Sequence, residues 1–170
     1  YMREVWVNTG TSPTVFRYVD WLITVPLQIV EFYLILAAVT KVSAQLFWKL
    51  LVASLVMLIG GYAGEAGYAD VGPAFFVGMA GWLYIIYEIF KGEASQLNEN
   101  SGNAASQQAF KTIRAIVTFG WAIYPIGYYL AYMGGGANDS ETLNIIYNLA
   151  DLVNKAAFGL AIWVAATSDS

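Results

Sequence analysis

Apolar residues fall along this chain in five long blocks, separated by short polar or glycine-rich breaks. The blocks cover residues 14–40, 46–66, 74–90, 109–133 and 143–167. Each is close to the roughly 20 residues that a helix needs to cross a hydrocarbon core. The predicted fold is therefore all-α: one polytopic transmembrane helical bundle, a single domain over residues 1–170. Ser12-Pro13 reads as the entry to the first helix, a capping hydroxyl followed by proline at the first helical position. Pro125, inside the fourth block, removes a backbone hydrogen bond and predicts a kink beside Trp121.

The breaks read differently from one another. Residues 1–13 are polar and turn-rich, with Tyr1 and Trp6 suited to a membrane interface. Lys41 and Lys49 flank a short turn, and Gly67 to Gly72 form a tight loop before Pro73. Residues 91–108 read as a flexible aqueous loop by composition. A glycine turn, Gly134-Gly135-Gly136, precedes the fifth block. Basic residues flank two of the breaks: Lys41 and Lys49 at one, Lys91, Lys111 and Arg114 at the other. The other two loops between blocks have no Lys or Arg, only Glu65, Asp70, Asp139 and Glu141. The positive-inside rule then puts the basic breaks in the cytoplasm, the N-terminus outside and the C-terminus inside. No internal repeat of the transporter kind is visible.

Composition agrees. The 170 residues are 58% hydrophobic, 16% aromatic and 12% charged, with a mean hydropathy of +0.55. A soluble domain carries about twice that charged fraction. The sequence pI near 4.6 says little about nucleic acid, and no basic stripe exists to bind it. There is no cysteine and no histidine, which removes disulfides, thiolate chemistry and soft metal sites together. Nothing points to an enzyme. The chain starts at Tyr1 without a signal peptide, and it reads as a segment of something longer.

The charges inside the blocks carry the chemistry. Lys155 lies near the middle of the fifth block and Asp151 four residues before it, on one helical face. A lysine at that depth is costly unless paired, hydrated or neutralised, so it marks a functional site. In the first block, Arg17, Asp20, Thr24, Gln28 and Glu31 interrupt an otherwise lipid-soluble run. Arg17, Asp20 and Thr24 are spaced i,i+3 and i,i+4 and form one stripe. Glu31 is eleven residues beyond Asp20, three turns within about 20°, and so about 16 Å deeper on that stripe. The bland reading is that Arg17–Asp20 and Asp151–Lys155 are self-neutralising pairs that hold the bundle together. Glu31 argues against it, because it has no evident partner, and an unpaired carboxyl in an apolar setting favours its neutral form. An acid on the inner side, a lysine at the centre and an acid on the outer side make a proton path.

Trp21, Trp82, Trp121, Tyr124 and Tyr147 lie near the middle of their blocks, away from the interfacial belts where such residues collect. Core packing is the better reading for any one of them. Together with Met57, they also suit a flat, elongated apolar cavity, with the Pro125 kink as a moving part beside it.

Three stretches are similar to a known family. RYVDWLITVPLQIVEFYLILAA, FGWAIYPIGY and IYNLADLVNKAAFGLAIW resemble the microbial rhodopsins, most closely the proteorhodopsin branch, and the similarity covers essentially the whole chain. The family has seven helices, and the five blocks resemble the third to the seventh. The first two helices are then missing, with the second-helix histidine that bonds the acceptor aspartate. The resemblance implies all-trans retinal bound covalently to Lys155 as a protonated Schiff base. It makes Asp20 the primary counterion and proton acceptor, Asp151 the second counterion, Arg17 the arginine toward the outside and Glu31 the cytoplasmic proton donor. Trp21, Thr24, Met57, Trp82, Trp121, Tyr124, Pro125 and Tyr147 match the retinal site. Gln28 matches the spectral-tuning position, which is glutamine in blue-absorbing forms and leucine in green-absorbing ones. An amide dipole there stabilises the localised charge of the ground state and moves absorption to the blue.

The resemblance also separates subclasses. Chloride pumps carry a neutral residue at the Asp20 position. Sodium pumps carry asparagine, aspartate and glutamine at the positions of Asp20, Thr24 and Glu31. Sensory forms typically lack the carboxylic donor. The triad here matches an outward, light-driven proton pump of the blue-absorbing kind, set in lipid in a bacterial inner membrane as a pentamer or hexamer. Two rivals stand beside it: a slow-cycling photosensor that signals through a partner, and a proton-coupled transporter in which Lys155 stays a free amine.

Overall fold

The computed structural model of the chain describes residues 2–134 and 140–168. Tyr1, Asp139 and the Gly135-Gly136 part of the predicted turn lie outside the described residues, as does the side chain of Glu141. Among the described residues the chain is helical throughout: α1 (Met2–Thr9), α2 (Thr14–Val39), α3 (Ala44–Glu65), α4 (Val71–Phe90), α5 (Glu93–Asn100), α6 (Ala104–Ala115), α7 (Ile123–Tyr128) and α8 (Ser140–Ser168). Two π-helical turns, Ile116–Gly120 and Tyr129–Met133, precede and follow α7. Four runs are long and apolar enough to cross a membrane: Thr14–Val39, Ala44–Glu65, Val71–Asn100 and Thr142–Ser168. The remaining apolar run, through α6 and α7, is divided by its π turns. This is a helical membrane bundle.

Helix α2 shows why its sequence looks half polar. Arg17, Tyr18, Trp21, Val25, Gln28, Ile29, Phe32 and Leu36 recur at helical spacing and face the other helices. Ile23, Leu27 and Leu34, on the opposite side, are exposed and suit lipid. Helices α3 and α4 pack closely because small residues line both. A Cβ at Gly60 would sit 2.9 Å from the Gly78 backbone nitrogen, so a larger residue there would push the helices apart. One end of the bundle is closed by Leu36, Leu46, Leu50, Ile85, Ile89, Phe110 and Ile113, all essentially inaccessible. That tight apolar packing sets where the polar site can be.

Two expectations need correction. Residues 2–9 form α1 rather than a turn-rich stretch. Residues 91–108 are not a flexible loop: α5 occupies the first half and α6 begins at Ala104. The reason is long-range. Buried Glu88 accepts the Glu93 backbone N–H at 2.9 Å, which caps a helix that lacks a cap of its own. The Ser43 hydroxyl donates to Glu93 at 2.7 Å, and Lys49 lies 3.7 Å from the same carboxylate. Ser95 on the buried face of α5 accepts from Arg114 at 3.2 Å. A polar composition signals solvent only when such partners are absent.

Candidate functional site

Lys155, on α8, reaches across to α2. Its Nζ is 2.6 Å from Asp20 Oδ2 and 3.5 Å from Asp151 Oδ2. The two carboxylates are held differently. Asp151 accepts from two donors, the Trp21 Nε1–H at 3.0 and 3.1 Å to its two oxygens and the Tyr124 hydroxyl at 2.6 Å. Asp20 has the lysine as its ion-pair partner, and its side chain is 36% exposed. An ion pair in a low-dielectric setting persists only when further hydrogen bonds satisfy its members, and Asp151 meets that condition.

Arg17 does not pair with Asp20, so the self-neutralising reading of that pair fails. Its guanidinium donates to Asn144 Oδ1 at 2.5 Å and to the Ser12 hydroxyl at 3.2 Å. It also lies 4.9 Å from the Tyr147 ring centroid. It is 3% exposed, a buried cation solvated by amide, hydroxyl and aromatic face. Tyr147 in turn donates its hydroxyl to the Tyr124 carbonyl at 2.8 Å.

From Lys155 an apolar cavity extends between the helices. Trp21, Gln28, Met57, Trp82, Trp121, Tyr124, Pro125 and Tyr147 all line it, as the sequence predicts, with Asp151 and Lys155 in the same wall. Thr24 does not. Its hydroxyl turns back to the Asp20 carbonyl at 3.0 Å, an i−4 bond that keeps it on its own helix. Glu31 is exposed on the open side of α2 and does not reach the cavity. Gln28 Nε2, in the same wall, is buried without a hydrogen-bond partner.

Beside Pro125 the helical hydrogen bonding is irregular. The Trp121 N–H bonds to Ile116 O at 3.0 Å, across a π turn, rather than to Val117 O. The Tyr124 N–H bonds to Trp121 O at 3.2 Å rather than to Gly120 O. Two carbonyls lose their usual helical partners, and both are taken up by the cavity wall. Trp82 Nε1–H donates to Val117 O at 2.9 Å, and Asn154 Nδ2–H to Gly120 O at 3.0 Å. Such π turns recur where a helix is shaped by a site.

Sequence reading missed Asn154, Asn144, Tyr18 and Glu65. Asn154 beside Lys155 was the available signal, a second polar residue mid-helix. Glu65 was placed among the loop acids, but it ends α3 and lines the cavity. A covalent chromophore fits what is here. The wall is rich in aromatic side chains, and it includes a primary amine 2.6 and 3.5 Å from two carboxylates.

The comparisons agree with the geometry. The family model of bacteriorhodopsin-like proteins matches residues 2–169. A blue-light absorbing proteorhodopsin of Gamma-proteobacterium Hot 75m4 is 58% identical over all of this chain and 68% of its own length. A green-light absorbing proteorhodopsin of Gamma-proteobacterium EBAC31A08 is 56% identical over the same shares. The crystal structure of a blue light-absorbing proteorhodopsin from Med12 superposes with a TM-score of 0.82 at 64% identity, over all of this chain and 75% of that one. The chain belongs to the bacteriorhodopsin-like family of retinal-binding, multi-pass membrane proteins.

Proposed function

We propose that this protein is a light-driven outward proton pump of the blue-absorbing kind, with all-trans retinal bound at Lys155. The observation that carries the reading is the Lys155 amine, paired with Asp20 and Asp151 in the wall of an aromatic cavity. Bound there, retinal supplies the light-driven change of shape and acidity. The chain's own residues do the rest. Asp20, 2.6 Å from Nζ, accepts the proton that leaves the Lys155 nitrogen. Asp151 is held in place beside the nitrogen by the Trp21 indole N–H and the Tyr124 hydroxyl. Trp21, Trp82 and Trp121 confine the chromophore and exclude water. Glu31, three turns along α2, returns a proton from the other side. Gln28, with its unpartnered amide, biases absorption toward the blue.

The distribution of basic residues supports an N-terminus outside and a C-terminus inside a bacterial plasma membrane. The exposed Ile23, Leu27, Leu34 and Trp163 suit contact with lipid or with a further copy in an oligomer.

The test is a visible spectrum of membranes holding the protein, before and after adding all-trans retinal, with Lys155→Ala alongside. A blue-range band that forms with retinal, bleaches with hydroxylamine and is absent in the variant is the expected result. Illumination should then acidify the medium around cells. A band without acidification would point to the sensor. No band from folded protein would return the charges to a transporter.

A further inference from the structure

A furrow runs between α3 and α4, separate from the Lys155 cavity and sharing no lining residue with it. Ala53, Ala80 and Gly81 line it where the two helices touch; a Cβ at Gly81 would sit 2.5 Å from the Ala53 carbonyl oxygen. Trp48, Val52 and Val56, all exposed, stand along the α3 side. Tyr84 stands on the α4 side, and its hydroxyl is taken by Glu88 at 2.9 Å, so the furrow receives the ring. Small residues at the line of contact and large ones beside it make a channel rather than a flat face.

Its dimensions suit a lipid chain. From Gln45, in the first turn of α3, to Val56 is eleven residues, about 16 Å of helix. A hydrocarbon core is about 30 Å thick, so the furrow has the depth of one leaflet. Trp48 lies near its shallow end, where an indole suits the boundary between headgroups and chains.

The mouth carries paired charges. Lys49 Nζ is 3.7 Å from Glu93 Oε2, too far for a direct hydrogen bond, and each side chain is about a third exposed. Glu93 is fixed from two other directions: the Ser43 hydroxyl donates to its Oε1 at 2.7 Å, and its backbone N–H donates to Glu88 at 2.9 Å. Gln45 lies one helical turn before Lys49 and lines the same furrow. Lys41 and Lys91, both exposed, attract anionic lipid in general. The furrow differs because a cation and an anion stand side by side. A headgroup that carries one phosphate and one primary ammonium matches that pair. Its phosphate accepts from Lys49 and Gln45, and its ammonium donates to Glu93. A trimethylammonium has no N–H to donate, and a purely anionic headgroup sets its charge against Glu93.

We propose that the α3–α4 furrow binds one phosphatidylethanolamine molecule, with an acyl chain along Trp48, Val52 and Val56 and the headgroup bridging Lys49 and Glu93. On the proposed orientation this lipid belongs to the cytoplasmic leaflet. The inference does not depend on the pump reading.

Its test is native mass spectrometry of the protein purified from membranes in detergent. Phosphatidylethanolamine, phosphatidylcholine and phosphatidylglycerol with identical acyl chains are added in turn. One phosphatidylethanolamine should be retained about 10-fold better than either of the others. Glu93→Gln should abolish the preference over phosphatidylglycerol. Lys49→Gln should weaken retention of both lipids. Ala80→Leu, at an exposed position in the furrow, should remove the retained molecule by filling its place. Equal retention of the three headgroups by the unchanged protein would overturn the proposal, whatever the variants do. So would a preference that survives both Lys49→Gln and Glu93→Gln. A furrow filled by a second copy of the chain would show as dimers lost in Ala80→Leu with no lipid retained, and that result overturns it as well.

Discussion

The two halves of this bundle, on either side of Lys155, are made of different material. Toward the start of α2 lie Asp20, Asp151, Tyr124, Arg17, Asn144, Tyr18 and Glu65, joined by side-chain hydrogen bonds and ring contacts. In the other direction, past Gln28, the space between the helices is closed by Ile29, Phe32, Leu50, Ile85, Ile89, Ile113 and Phe158, around a small apolar void. Glu31 lies beyond, off the cavity. A proton moves easily along donors and acceptors within hydrogen-bond reach and hardly at all through packed hydrocarbon. On the proposed pump reading, the Lys155 proton has a polar route on one side and packed hydrocarbon on the other, and this asymmetry rather than the lysine itself would give direction.

The comparison can be broken most sharply at its polar half. Asp20→Asn keeps the shape and removes the acceptor, so light-driven acidification should fall about 100-fold or more, measured in cells under illumination. Glu31→Gln tests the opposite side. Return of the proton to the Lys155 nitrogen, followed by visible absorbance after a flash, should slow at least about 10-fold, most at high pH. Unchanged decay would remove Glu31 from the path.

The apolar half predicts stability effects instead. Ile113, 1% exposed, leaves a cavity when cut to alanine, so Ile113→Ala should cost about 2–5 kcal/mol in detergent unfolding. Asn154→Ala tests the junction between the halves. It strands the Gly120 carbonyl and should cost about 1–3 kcal/mol, with altered timing of late photocycle steps. An effect on stability alone would make Asn154 a strut and nothing more. The smallest effect is expected from Gln28→Leu: a shift of the absorption band to longer wavelength with transport retained.

Much of the polar half was legible in order but not in pairing. The spacing of Asp151 and Lys155 places them together because a helix fixes i,i+4 neighbours by local geometry alone. Arg17 and Asp20 have the same local logic at i,i+3, and yet Arg17 turns to Asn144, 127 residues away. Glu65 read as a loop acid because it ends an apolar run. Whether a terminal residue faces water or a cavity depends on the neighbouring helix, and Tyr18 comes from α2. Residues 91–108 read as loop for a similar reason, since the carboxylate that caps α5 belongs to α4.

The sequence by itself determined the all-helical membrane architecture, the central lysine and the stripe of acids on α2. Hydrophobic block length and helical periodicity are local properties, and nothing distant can change them. The tertiary structure alone decided which acid meets the lysine, which carbonyls the π turn frees and where Arg17 and Glu65 point. Each of those outcomes is a contact between helices far apart in the chain. Its energy depends on which donors and acceptors the packing brings within about 3 Å.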